Sequence, residues 1–451
     1  MENIKPIADS SAHVAKSDLP ADESVALPAR PLSSPPAAAS RSAYWYHGWN
    51  IVAACVLAQF VVSGLTVNCF SLFLHDWSAQ LHSPISQFTL GFSIFGLLCS
   101  PLAALAGICA DRYPARLMFG GGLLLAALMF VAMSFITRGW EFLVLYALPL
   151  PIIATFSALV PANAVVSRWF VRRLGLALAL TALGQGLPGV ILPPIVAAAL
   201  PTLGWRMVWR IGGLVIGLIV LPIVVATMRD RPSARDGLEY LAGGGTAVRS
   251  HHLKGGARLA WRDVFTRRNF WALVVIFLSL LVGHIAMSTN LAPIAASRGV
   301  GRETVGVLLS IYNLAAIAAM LLAGFFSDRF GNRLPLAGLA FASAVGLLLA
   351  VFGASAPVLG LGVALVGACG GFWPLLAAAT TREFGAEAAG RGFGFVTAFI
   401  PVIMLTPFLV ARTQEITGSY AIPLSALALL IFTGAMVFLL TMRERRSVPA
   451  V

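Results

Sequence analysis

Charge is what this sequence has least of. Asp, Glu, Lys and Arg together make up 11% of 451 residues, and mean hydropathy is +0.87. A water-soluble chain of this length carries about twice that charged fraction. Thiol chemistry is equally thin. The five cysteines (Cys55, Cys69, Cys99, Cys109 and Cys369) lie in or at the end of apolar runs, and none forms a CxxC pair. They read as small apolar filler, with no disulfide or metal role expected. No GxxxxGK[ST] sequence is present, which argues against ATP-driven pumping. Neither HExxH nor GxSxG occurs, and no span carries paired acids, so an intramembrane enzyme lacks its constellation. No enzyme activity, cofactor or metal is expected.

What the sequence does have is long apolar runs. A run of ~20 apolar residues crosses the hydrocarbon core as a helix. Lipid offers backbone groups no partner, so spanning segments are helices or a closed barrel, and continuous rather than alternating hydrophobicity selects helices. Twelve spans are expected at 49–74, 86–106, 117–136, 141–166, 174–200, 206–227, 270–296, 303–326, 334–353, 357–381, 391–412 and 421–441. Residues 1–48 hold a Pro/Ala/Ser-rich run, "LPARPLSSPPAAAS", and read as a disordered tail. Twenty-five of the 31 Lys and Arg fall on the tail's side of the spans and six on the other. This asymmetry predicts that both termini are cytoplasmic. It also accounts for the net charge of +13 without any nucleic acid.

Segment 229–269 is the one long polar connection, and it divides the spans six and six. The expected organisation is a tail (1–48), a six-helix bundle (49–228), a cytoplasmic linker (229–269), a second six-helix bundle (270–442) and a short tail (443–451). One decapeptide occurs at equivalent places in both halves. "GICADRYPAR" (107–116) follows span 2 and "GFFSDRFGNR" (324–333) follows span 8. Their shared Gly, Asp, Arg and Arg in a six-plus-six layout point to duplication.

These residues resemble the signature loop of the major facilitator superfamily. Gly107, Asp111, Arg112 and Arg116 match it, with Pro114 where the family usually has Gly. Gly324, Asp328, Arg329, Gly331 and Arg333 match it more fully. "SRWFVRRLGLALALTALGQGLPGVILPP" (167–194), with "YHGWNIVAA", "LGWRMVWRIGG" and "ITGSYAIP", resembles the monocarboxylate porter branch, which includes oxalate/formate exchangers. The resemblance implies an all-α membrane protein with 12 transmembrane helices in two pseudo-symmetric six-helix bundles. It implies a monomer that moves a small organic solute by alternating access, an organic acid with proton symport being the leading expectation. The alternative is an efflux carrier for drug-like or metabolite compounds, since Gly184–Gly189 is also similar to the Gly-Pro motif of drug/proton antiporters. The abundance of Arg over Lys, 28 to 3, suggests a GC-rich bacterium and hence the inner membrane.

The repeated loops suit a cytoplasmic gate. Gly107 and Gly324 can let helix backbones approach closely. Asp111 and Asp328 can meet a facing helix N-terminus and nearby arginines, with Arg168 the expected partner of Asp111. The contrasting reading is that these charges only set topology. For the solute and coupling site, ionisable groups within spans are functional candidates by default. His284 lies ~14 residues into span 7, or ~21 Å along the helix. It can bind a carboxylate, titrate as the coupling group, or sit as a neutral interhelical hydrogen-bonding group. The neutral candidates are Gln59, Asn68, Gln185, Asn290 and Asn313, with ring or hydroxyl contacts from Tyr146, Tyr312, Trp373 and Thr397. Spans 1, 4, 7 and 10 line the cavity in the superfamily, which favours Gln59, Asn68, His284, Asn290 and Trp373. Prolines at 149, 151, 188, 193, 194, 374, 401 and 407 predict bent helices. The chain departs from anion carriers of the branch in two places: Met320 occupies a position often held by Arg, and "FVTAFIPVI" (395–403) has no Lys. Arg210 and Arg412 are the cations left to replace that pair.

Overall fold

A computed structural model describes residues 46–157, 159–170, 173–230, 264–353, 355–384 and 389–442. Most of the expected first tail and of the linker, and the whole of the second tail, lie outside these residues; the first helix begins at His47, two residues inside the expected tail. Among the described residues every regular element is a helix of α, π or 3-10 type. Eleven continuous helical stretches are long and apolar enough to cross a membrane. One of them, Leu174–Thr227, has 54 residues. That is ~80 Å of helix, more than twice the ~30 Å hydrocarbon core. Gly204 interrupts it at φ +70° and ψ 159°, a conformation that glycine adopts without a Cβ clash. This stretch therefore holds spans 5 and 6, which makes twelve crossings among the described residues. Large apolar side chains remain on the outside, among them Leu218, Leu321, Phe352 and Leu440. Such a belt fits hydrocarbon rather than water.

The prolines act according to position. Pro149, Pro401 and Pro407 each start a new helical segment, where the missing N–H is one that would be unpaired anyway. Spans 4 and 11 are accordingly broken. Pro188, Pro193 and Pro194 instead stay inside one helix. Pro194 leaves the Val190 carbonyl without its helical N–H, and the Ser310 hydroxyl of span 8 donates to that carbonyl at 2.7 Å. A kink residue thus becomes a tie between the two halves.

Span 1 runs past its expected end at 74. A helix over His47–Ser63 passes through a π-helical turn, Gly64–Asn68, and continues as Phe70–Gln80. Packing explains the extension. Trp77 is fully buried among Phe73, Phe142, Trp205 and Trp209, with centroids 4.7–6.3 Å away. The Trp205 indole donates to the Gln80 amide oxygen at 2.9 Å. The polar residues that lower hydropathy after Leu74 ride on a helix held by this aromatic cluster.

The loops after spans 2 and 8 are two residues each. Tyr113 and Pro114 are extended, and the Pro114 ring suits its φ of −60°. In the second copy Gly331 sits at φ +73°, where only glycine is unstrained. The Pro/Gly difference between the copies reflects two backbone routes to the same short turn.

Candidate functional site

A cavity of about 250 Å³ lies between the two chain halves. From the first half it is lined by Val67, Asn68, Phe92, Phe95 and Gly96, and from the second by His284, Ile285, Ser288, Tyr312, Asn313 and Met404. Several local features position the polar members. The π-turn at Gly64–Asn68 shifts the helical register at Asn68, whose amide donates to the Ser63 and Gln185 carbonyls at 3.1 and 3.4 Å. The Asn313 amide donates to the Leu309 carbonyl at 2.9 Å. The two asparagines meet beside Gly189. A Cβ there would lie 2.4 Å from Asn313 Oδ1 and 2.5 Å from Asn68 Oδ1. Tyr312 packs on the His284 ring at 5.0 Å and donates its hydroxyl to the His284 carbonyl at 2.8 Å.

One face of the molecule is held shut above this cavity. Arg302 forms a two-pronged ion pair with Asp76, at 2.6 and 3.0 Å. The Glu415 carboxylate accepts from the Ser86 backbone N–H at 2.8 Å and from its hydroxyl at 2.7 Å. Ser86 sits in the first turn of the helix Ile85–Arg112, so this carboxylate also meets the positive end of a helix dipole. Both contacts join first-half to second-half residues. Asn313 lies eleven residues beyond Arg302, ~16 Å further along the helix.

The face carrying the repeated loops is built differently. Arg168 donates to the Ala110 carbonyl at 2.7 Å, and Arg382 donates to the Ser327 carbonyl at 3.1 Å. Each acceptor is the residue immediately before the loop aspartate, so the duplication extends to the arginine that ends spans 4 and 10. A Cβ on Gly107 or Gly324 would meet nothing within 4 Å. The expected close helix approach at these glycines is not made in this conformation. Arg112, Arg116 and Arg329 are exposed, and Arg333 donates to the Leu439 carbonyl. The side chains of Asp111 and Asp328 lie outside the described residues.

A sequence profile of the Major Facilitator Superfamily matches this chain over residues 56–295 and 282–450. The chain belongs to the Major Facilitator Superfamily. It is a multi-pass membrane transporter rather than an enzyme. It is 29% identical to human monocarboxylate transporter 11 over 401 residues, covering 84% of this chain and 76% of that protein. It is 23% identical to the oxalate:formate antiporter of Oxalobacter formigenes, covering 78% and 81%. It is also 25% identical to the riboflavin transporter MCH5 of Saccharomyces cerevisiae, covering 64% and 56%. In fold it is similar to an inward-open structure of the xylose transporter XylE from E. coli. The TM-score is 0.66 at 13% identity, covering 89% of this chain and 97% of that one.

Within this superfamily member, the cavity gathers Asn68, His284 and Asn313 from among the candidates. The other four lie elsewhere. Gln59 is buried and ties span 1 to span 5, donating to the Cys55 and Thr181 carbonyls at 3.3 and 3.2 Å. Gln185 has an exposed side chain and contributes its backbone carbonyl to Asn68. Trp373 packs on Phe277, Phe372 and Phe393. Asn290 is fully buried and falls on the same helix face as Gly283, seven residues earlier, which packs against Ile431 and Ser343. That face points away from His284 and Ser288.

The candidate cations lie elsewhere too. Arg210 donates to Ser134 Oγ at 2.9 Å and covers the Phe135 ring, while Arg412 pairs with Glu415 at 3.3 Å. None of the cavity-lining residues carries a fixed charge. The sequence reading missed Ser288, and it named Gly189 only as the end of the Gly184–Gly189 motif, not as part of the cavity. Ser288 stands one helical turn after His284, a spacing that could have found it. Gly189 had no such signal, because what matters is the neighbours its missing side chain admits.

Proposed function

We propose that this transporter carries a small organic acid, together with a proton, by alternating access through the cavity between its halves. The observation that carries the reading is the cavity's makeup: amides, hydroxyls and an imidazole on aromatic walls, with no fixed charge. A bare carboxylate there faces a large desolvation cost, so its charge must be neutralised as it enters. The volume of about 250 Å³ supports a small solute over the drug-like efflux alternative, since pockets for drug-sized ligands measure ~300–1,000 Å³. Similarity to a monocarboxylate transporter and an oxalate:formate antiporter supports the acid class.

The arginine asymmetry supports placing the repeated loops and both termini in the cytoplasm, in a bacterium at the inner membrane. On that orientation the Asp76–Arg302 and Ser86–Glu415 contacts seal the outside, and the conformation is inward-facing. The loop residues Gly107, Asp111, Arg112, Arg116, Gly324, Asp328, Arg329 and Arg333, with Arg168, then form the cytoplasmic gate of the opposite state. Uptake into proteoliposomes tests this reading, using labelled monocarboxylates, dicarboxylates and aromatic acids with and without an acid-outside gradient. Saturable uptake of one acid class, faster with the gradient, is expected. Absence of flux for every acid overturns the reading.

A further inference from the structure

The polar lining of the cavity has spent nearly all its donors on the protein itself. Both Asn68 amide hydrogens have backbone acceptors, and so has one from Asn313. The Ser288 hydroxyl donates to the Ile285 carbonyl at 3.1 Å, and the Tyr312 hydroxyl to the His284 carbonyl. What remains on offer is mostly lone pairs, with the second Asn313 N–H the one amide donor left over. The donations to backbone carbonyls fix which way each amide points, because a flipped amide would set oxygen against oxygen. Asn68 Oδ1 and Asn313 Oδ1 therefore both face the Gly189 gap, within about 5 Å of each other. No donor among the described residues reaches either. His284 Nδ1 is a further polar atom in this wall without a partner among the described residues. Two carbonyl oxygens brought together from opposite halves need a hydrogen between them.

We infer that Asn68 and Asn313, brought together over Gly189, recognise the O–H of an undissociated carboxylic acid, so that the proton travels on the solute. This rests on the reading of the cavity as the transport site. A carboxylate only accepts hydrogen bonds and finds an acceptor-rich wall; the protonated acid supplies the missing donor. Because one asparagine comes from each half, the neutral acid also bridges the two bodies that must move. Of the lining residues only His284 and Tyr312 titrate, and neither is needed to bring the proton.

The test uses the acid that the uptake panel selects, in proteoliposomes with equal pH on both sides and protein-free vesicles as blank. From pH 5 to 7, KM in total acid rises about tenfold per pH unit above the acid's own pKa and stays constant in undissociated acid. The matching primary alcohol and primary amide compete equally at both pH values, while the methyl ester and the sulfonate do not. Asn68→Leu and Asn313→Leu, checked for an unchanged melting temperature, each raise KM tenfold or more. A KM constant in total acid, or competition by the sulfonate, overturns the inference while leaving acid transport standing. A panel in which no acid moves overturns both.

Discussion

Replacing Arg302 with Ala should unlatch the sealed face. The guanidinium reaches both Asp76 oxygens, and the two side chains are only 30% and 17% exposed. Exposed ion pairs contribute ~0.2–1 kcal/mol, but a half-buried, two-pronged, charge-assisted pair belongs to the ~1.5–3 kcal/mol class. Under alternating access the pair exists in one state and not the other. Its loss then shifts the balance between states by between about tenfold and about a hundredfold, at 1.36 kcal/mol per factor of ten. The Glu415–Ser86 contact persists in this variant, so opening is partial. Adding Glu415→Gln removes the charge at the helix N-terminus and carries the shift further.

Hydrogen–deuterium exchange in nanodiscs reads this without labels. Exchange should rise over 76–86 and 297–302 and fall over 107–116 and 324–333. The exchanged pair Asp76→Arg with Arg302→Asp should restore the wild-type pattern, because the same ion pair re-forms across the same gap. Unchanged exchange on both faces of Arg302→Ala would refute the latch. So would a charge-swapped double variant that behaves like the single one, since the loss would then come from something other than pairing.

Two further outcomes follow from the packing. Arg168→Ala and Arg382→Ala should each lower stability by ~1 kcal/mol through the lost carbonyl bond, and should add within ~0.5 kcal/mol because the two corners are separate; thermal melting in detergent checks both. Gly367→Ala would place a Cβ 2.3 Å from the Tyr312 carbonyl oxygen, a backbone atom that cannot swing away. It should cost ~1–3 kcal/mol and, by displacing Tyr312 in the cavity wall, raise KM more than it lowers the maximal rate; an unchanged KM with a lowered melting temperature would separate packing from the site.

These sites differ in how far the sequence alone revealed them, and the reason is physical. Apolar runs dictate helices because lipid leaves backbone groups no alternative, so the crossings could be read directly. Helix ends were less legible: spans 1, 2 and 11 run on to Gln80, Arg112 and Thr417, and at span 1 the cause is Trp77, where hydropathy drops but burial of one indole in an aromatic cluster keeps the helix going. The repeated loops were visible because duplication writes the same residues twice. The latch had no such mark. Asp76 and Arg302 are 226 positions apart and Ser86 and Glu415 are 329 apart, and each looks like an ordinary polar residue at a span end. Only the docking of two halves makes them partners. The same holds in the cavity. Residue type within the spans nominated seven residues, and the superfamily's cavity-lining spans favoured Gln59 and Asn290 over Asn313; what separates Asn68 and Asn313 from Gln59 and Asn290 is which face of a helix meets the other half. Residues that act inside one helix pair can be guessed from local spacing, as Ser288 could have been from His284. Residues that act between the halves, including those a moving solute must bridge, depend on the fold as a whole.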